Sequence, residues 1–205
     1  MIQTYRLILV FMTLLISCVT TEMQDVWKDD NYQSQMKKIF IIGVSKDHKI
    51  RRQFENEFVN QLTIKGIEAI QSYKILSSDK MLDRDTIVSK IKDMNIDGVV
   101  ITKLIKKTKG PSGPSSFSSK SSFDRGRTYH SHYVRSHNSA FRGSGSSGSF
   151  SPADIVILQT DLYDAKSEAL VWSGFSETLN QRTASNAIKP FIEIMIQNLS
   201  KDNMI

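Results

Sequence analysis

The run KIFIIGV (38–44) limits this chain most. It is uninterrupted by charge and rich in β-branched and aromatic residues, the pattern of a strand covered on both faces. A strand of that kind requires layers above and below it, so the sequence around it must supply helices for both sides. It does. In SKDHKIRRQFENEFVNQLTIKG, residues Ile50, Phe54, Phe58 and Leu62 recur every fourth position, with Ser45 or Asp47 as the N-cap and Gly66 as the stop. IEAIQSYKIL (67–76) reads as a second strand with Ile70, Tyr73 and Ile75 as its apolar positions. DRDTIVSKIKDMN (83–95) reads as a second helix on Ile87, Ile91 and Met94, capped by Asp83 or Asp85. DGVVITKLI (97–105) is a third strand entered through an Asp-Gly turn.

The pattern then stops. Residues 108–152 are dominated by serine and glycine and show neither helical nor strand periodicity. A segment of that composition buries too little apolar surface to offset its chain entropy and is expected to be disordered. Order resumes with DIVILQTDLYD (154–164) and ALVWSGFSETL (169–179), which read as a hairpin with Ser173 and Ser176 at outward or edge positions and Trp172 and Phe175 on opposite faces. A final helix follows over SNAIKPFIEIMIQNLSK, with Pro190 expected in its first turns. The expected fold is therefore α/β (α+β), in the order β-α-β-α-β, insertion, β-β-α, as a mixed sheet with helices packed on it. Residues 37–107 and 153–202 make one domain of about 120 residues, enough for a single core.

Residues 1–17 have the three parts of a secretory signal: Arg6, an apolar core from Leu7 to Ile16 broken only by Thr13, and Ser17 at the cut. The apolar run is about 13 residues, short of the roughly 20 that span a bilayer as a helix. Leu15-Ile16-Ser17-Cys18 resembles the bacterial lipobox. That resemblance implies that Cys18, the only cysteine, is diacylated and becomes the new amino terminus. Val19 behind it, where Asp would retain the protein at the inner membrane, implies the outer membrane, facing the periplasm. A thioether-linked Cys18 leaves no thiol for a disulfide, catalysis or metal binding. Residues 18–36 then read as a lipidated tether with a relaxed reach of about 25 Å, in which Trp27 and Tyr32 are the residues fit to dock on the domain.

Charge is local. The chain carries a formal +6, yet Lys106, Lys107, Lys109, Lys120, Arg125, Arg127, Arg135 and Arg142 face the single acid Asp124 between residues 106 and 150. Six aromatics (Phe117, Phe123, Tyr129, Tyr133, Phe141, Phe150) are interleaved with them. In a cytosolic protein such a segment would suit single-stranded nucleic acid. In an envelope lipoprotein, nucleic acid is excluded as a partner, and the matching polyanions are lipopolysaccharide, phospholipid headgroups and peptidoglycan acids. Against polyanion binding stands the reading preferred for this segment, a solvated spacer without a dedicated ligand.

Catalytic patterns are sparse. Lys46, Lys49, Arg51 and Arg52 at a helix start suit an anion, but the Gly-rich spacing of a phosphate loop is missing, so they read as a solvated first turn with Arg51 and Arg52 facing Glu55. WSGFSE lacks nucleophile-elbow spacing. His130, His132 and His137 are weak candidates for Zn²⁺ or Cu²⁺, with no fourth ligand in view. No cofactor and no enzymatic activity are expected.

VWKDDNY, KKIFIIGVSKDHKIRRQFENEFVNQL, GIEAIQSYKIL, DGVVITKL and LQTDLYDAKSEALVWSG together resemble small Gram-negative lipoproteins of unknown function related to the DUF4136 group. The resemblance covers roughly residues 25–180 apart from the insertion. It implies a fold similar to the amino-terminal domain of TolB and to the lipoproteins that activate penicillin-binding proteins, and it brings no catalytic residues. The resulting expectation is a non-enzymatic accessory domain, held to the membrane by acyl chains and docking onto an envelope protein.

Overall fold

The structure, a computed structural model, describes residues 20–76, 84–109, 128–129, 131–135, 154–179 and 183–205. Strands β1 (Thr20–Lys28), β2 (Lys38–Val44), β3 (Glu68–Gln71), β4 (Gly98–Lys109), β5 (Asp154–Asp164) and β6 (Leu170–Leu179) form one mixed sheet in the order β1-β6-β5-β4-β2-β3. β2 is parallel to β3 and β4, and the other neighbours are antiparallel. Helices α1 (His48–Ile64), α2 (Arg84–Lys92) and α3 (Ala184–Lys201) complete the expected α+β order.

The continuous apolar run behaves as its composition requires. Ile39 and Ile41 enter the core beneath α1 and α3, with Phe54, Phe58, Leu62, Trp172 and Ile192, while Phe40 and Ile42 enter the core on the opposite face with Ile91, Val99, Ile101 and Tyr163. Gly43 permits the close approach of α1. A Cβ there would stand 2.8 Å from Phe54 Cδ1, nearer than real packing allows. Asp47 caps α1 by accepting from the Lys49 and Ile50 amides. Gly66, at φ 79°, ends it: its amide bonds Thr63 O and the Ile67 amide bonds Leu62 O, the paired bonds of a Schellman ending.

Four expectations need correction. The tether over 18–36 is about half sheet, because residues 20–28 are edge strand β1, paired with β6 from Thr20↔Leu179 to Lys28↔Trp172. Exposure alternates along it although polarity does not, and this hid the period. Trp27 and Tyr32 do pack on the domain. The second strand ends at Gln71, and Tyr73 lies in a 3₁₀ turn (Ser72–Lys74) instead of a strand. The insertion begins later than 108, since β4 runs to Lys109, and it is not disordered throughout: Tyr129 and residues 131–135 are helical, with Tyr129, His132 and Tyr133 buried against the sheet. Ser173 and Ser176 are fully buried, because β1 covers the outer edge of β6 and both faces of the sheet are layered. Pro190 sits in the second turn of α3, which starts at Ala184 under a Thr183 cap. The cap candidates Asp83 and Asp85 of α2 lie outside what the structure describes of side chains.

Candidate functional site: a buried carboxylate under the insertion

The described part of the insertion is a short amphipathic helix. Thr128 starts it, accepting at its carbonyl from the His132 amide (3.1 Å) and from Ser131 Oγ (2.9 Å). Tyr129, His132 and Tyr133 stand at i, i+3 and i+4, one face of a helix, and each is at most 3% exposed. Val134 packs partly buried beside them, and Arg135 points to solvent.

Beneath His132, strands β5 and β6 present a row of polar side chains. Asp161 pairs with Ser173 in register, so both side chains leave the same face of the sheet, the one also carrying Tyr163. Ser173 Oγ donates to Asp161 Oδ1. Gln159 Nε2 donates to both carboxylate oxygens at 3.0 and 3.1 Å. His132 Nδ1 lies 3.0 Å from Asp161 Oδ2 and 2.8 Å from the Tyr163 hydroxyl. Asp161 and His132 are each 3% exposed and Ser173 is wholly buried. Nδ1 is the ring nitrogen that faces the carboxylate. The outer nitrogen, Nε2, is buried without a hydrogen-bond partner among the described residues.

Serine, aspartate and histidine in contact invite comparison with a hydrolytic triad, and the order rules it out. In a triad the imidazole stands between serine and carboxylate, so that it takes the serine proton. Here the carboxylate stands in the middle. Ser173 gives its hydrogen bond to Asp161, and the imidazole never meets the hydroxyl. What this arrangement does is bind the inserted helix to the sheet through one ligated carboxylate.

A second buried carboxylate lies where α1 meets the parallel strands. Glu55 Oε1 accepts from Arg51 Nε (2.9 Å), Ser72 Oγ (2.7 Å) and the Gly43 amide (3.1 Å), and Oε2 accepts from the Tyr73 amide (2.9 Å). Arg51 Nη2 also donates to Ser72 Oγ at 2.8 Å. The Arg51–Glu55 pair was expected on a solvated turn and is in fact core. Arg52 instead lies over the Tyr73 ring, 5.4 Å from its centroid. Tyr133 reaches toward this cluster. Burial raises its phenol pKa, Arg51 opposes the rise and Glu55 adds to it.

The sequence candidates separate accordingly. Lys106, Lys107 and Lys109 belong to β4, opposite Ile157, Val156 and Asp154. Arg135 is exposed at the end of the inserted helix, and His132 is buried in the clasp instead of waiting in a loop for a metal. Cys18, Lys120, Arg125, Arg127, Arg142, His130 and His137 lie outside the described residues. Among the described residues, no group of three histidine, cysteine or acidic side chains is placed to hold a metal ion, and no helix is long and apolar enough to cross a membrane. Sequence reasoning missed Asp161 and Ser173. Their only signal was polar residues at matching positions of an otherwise apolar hairpin.

No family model matches the chain, and no curated protein matches it. Solved structures do. The PelC dodecamer from Paraburkholderia phytofirmans is 12% identical with a TM-score of 0.44, covering 87% of this chain and 96% of that one. A PDZ domain protein from Parabacteroides distasonis is 10% identical with a TM-score of 0.41, covering 94% of this chain and 40% of that one.

Proposed function

We propose that this protein is an outer-membrane lipoprotein whose α+β domain is a non-enzymatic docking module for an envelope protein. The observation that carries the reading is the segment RLILVFMTLLISC, an n-region and short apolar core ending in a lipobox-like Cys18. Its support from the site is chemical: the polar constellation that sequence and fold bring together is closed and inward, and it fastens structure instead of facing a substrate. Recognition then falls to the outer surface of the domain, with the basic aromatic segment 106–150 as the element of the alternative reading, direct binding of anionic envelope polymer or lipid.

Mass spectrometry of the mature N-terminal peptide, joined to crosslinking and capture from intact envelopes, tests this. Deleting the whole insertion would also remove Tyr129 and Tyr133 from the core. The comparison is therefore with a chain in which Lys120, Arg125, Arg127 and Arg142 are all replaced by Gln. A diacylated Cys18 and the same captured protein partner with both chains support docking by the domain. An unmodified Cys18 overturns the anchoring. A partner lost with the four charges, or lipid and glycan alone, transfers recognition to the basic segment, and that binding falls steeply with salt.

A further inference from the structure

The inserted helix, over Tyr129 and residues 131–135, covers a sheet that does not depend on it. β4 and β5 pair as far as Lys109↔Asp154, and the insertion leaves and returns between those two residues. No strand reaches its neighbour through the helix, since all six are hydrogen-bonded in one continuous order. The helix runs for less than two turns, and helices shorter than about 12–15 residues are marginal in water by themselves. Its conformation is therefore a product of docking.

The floor beneath it has a defined chemistry. Ser173, Asp161, Ile101 and Ile42 stand in one register row across β6, β5, β4 and β2, and the pair Val99 and Phe40 continues the same face. This is an apolar floor with one carboxylate set into it. Ser173 and Gln159 hold that carboxylate from within the sheet, so its position does not depend on His132. The helix meets the floor with aromatic rings at i and i+4, Tyr129 and Tyr133, and a ring nitrogen on Asp161 at i+3. The match is imperfect. Nε2 of His132 is buried with no partner among the described residues, a cost that an occupant carrying only a donor does not bear.

We infer that this helix is an autoinhibitory strap, and that lifting it bares the groove in which the envelope partner docks an amphipathic helix of its own. That helix carries aromatic residues at i and i+4 and, at i+3, a hydrogen-bond donor for Asp161. The inference rests on the docking reading above and names the face that docks. Strap and partner compete for one floor, so the partner's apparent affinity is lowered by the fraction of chains that are closed. Until it arrives, the strap keeps an apolar face out of water.

Two arms test it on the full chain. In the first, the chain with Cys18→Ser is titrated with a fluorescein-labelled peptide of residues 124–139. It is compared with an opened chain that also carries Tyr129→Ala, His132→Ala and Tyr133→Ala, its folding checked by far-UV circular dichroism. His132→Ala alone replaces the triple variant if that one does not fold. Saturable binding to the opened chain, roughly tenfold or more tighter than to the closed one, is expected. A peptide with His132→Ala and Tyr133→Ala, which has the same charge at pH 8, is expected not to bind. Equal binding to the two chains, no binding to a folded opened chain, or equal binding of the two peptides overturns the groove.

In the second, the acylated closed and opened chains are crosslinked in isolated envelope fragments. The same protein partner is expected with both, at several-fold higher yield with the opened chain, and excess unlabelled peptide is expected to suppress it. Equal yields, or a yield the peptide leaves unchanged, overturn the strap and leave docking through another face standing. No captured protein with either chain overturns the docking reading itself, and this inference falls with it whatever the peptide shows.

Discussion

Glu55 and Asp161 are both buried carboxylates surrounded by donors, and they do different work. Glu55 joins elements continuous with the core: the end of β2 through the Gly43 amide, the turn after β3 through Ser72 and the Tyr73 amide, and α1 through Arg51. Asp161 joins the hairpin to the inserted segment through His132, whose other nitrogen has no partner among the described residues. A fully ligated carboxylate whose partners include two main-chain amides cannot be released without opening the fold. A carboxylate whose outermost partner sits on a short inserted helix can lose that partner and keep Ser173 and Gln159. The first cluster is architecture and the second is a clasp.

The most damaging way to break the comparison is at Glu55. Glu55→Ala leaves the Arg51 guanidinium, Ser72 hydroxyl and two amides without their acceptor in the core, and a loss of about 3–5 kcal/mol is expected. Urea denaturation followed by far-UV circular dichroism measures it. Glu55→Gln keeps part of the hydrogen bonding and is expected to lie between. A loss below about 1 kcal/mol in Glu55→Ala would remove the claim that this carboxylate holds the parallel strands to α1.

His132→Ala sharpens it from the other side. The global loss is expected to stay near 1–2 kcal/mol, since a hydrogen-bonded side chain is removed from a segment peripheral to the sheet. The local consequence is larger. The helix around Tyr129 and Tyr133 is expected to open, and trypsin to cut after the exposed Arg135 roughly tenfold faster, read by mass spectrometry of the fragments. Wild-type cutting rates at Arg135, or a global loss equal to that of Glu55→Ala, would make the two clusters equivalent.

How much of this could be read in the sequence depends on where a residue's environment is decided. The β2 run, the Ile50–Phe54–Phe58–Leu62 stripe, the Asp47 cap, the Gly66 stop and the β5–β6 hairpin were legible because each is fixed by neighbours within a few residues. β1 was not: a polar edge strand hides its period in exposure, and only β6 reveals it. The clasp was hidden twice. Burial of Asp161 and Ser173 depends on a cross-strand partner and on a covering segment. The Tyr129–His132–Tyr133 stripe spans less than two turns, and surrounding serine and glycine dilute it in any compositional window. The candidate site is made almost entirely of long-range pairings, which is why the fold was the more readable of the two.

The smallest expected effect concerns the link between the residues after β1 and Asp164 at the end of β5. Tyr32 packs against the core, and its hydroxyl donates to Asp164 Oδ2 at 3.4 Å. Burial first, then the charge and hydrogen bond of Asp164, and finally the charge of Asp97, push its phenol up to about 12. An unfolded tyrosine ionises near pH 10. Between about pH 10 and 12 the unfolded chain therefore releases a proton that the folded chain keeps, and stability falls as pH rises through that window. Below pH 10 the contribution is fully present. Tyr32→Phe is expected to cost about 0.5 kcal/mol at pH 8, the value of one long, partly exposed hydrogen bond. The gap between the two chains should then close as the pH passes 11, because only the wild type has this phenol to lose. Urea midpoints at pH 8, 10 and 11 measure the gap. If it stays constant across the series, Asp164 does not hold the Tyr32 proton, and the turn after β1 is kept in place by its apolar contacts alone.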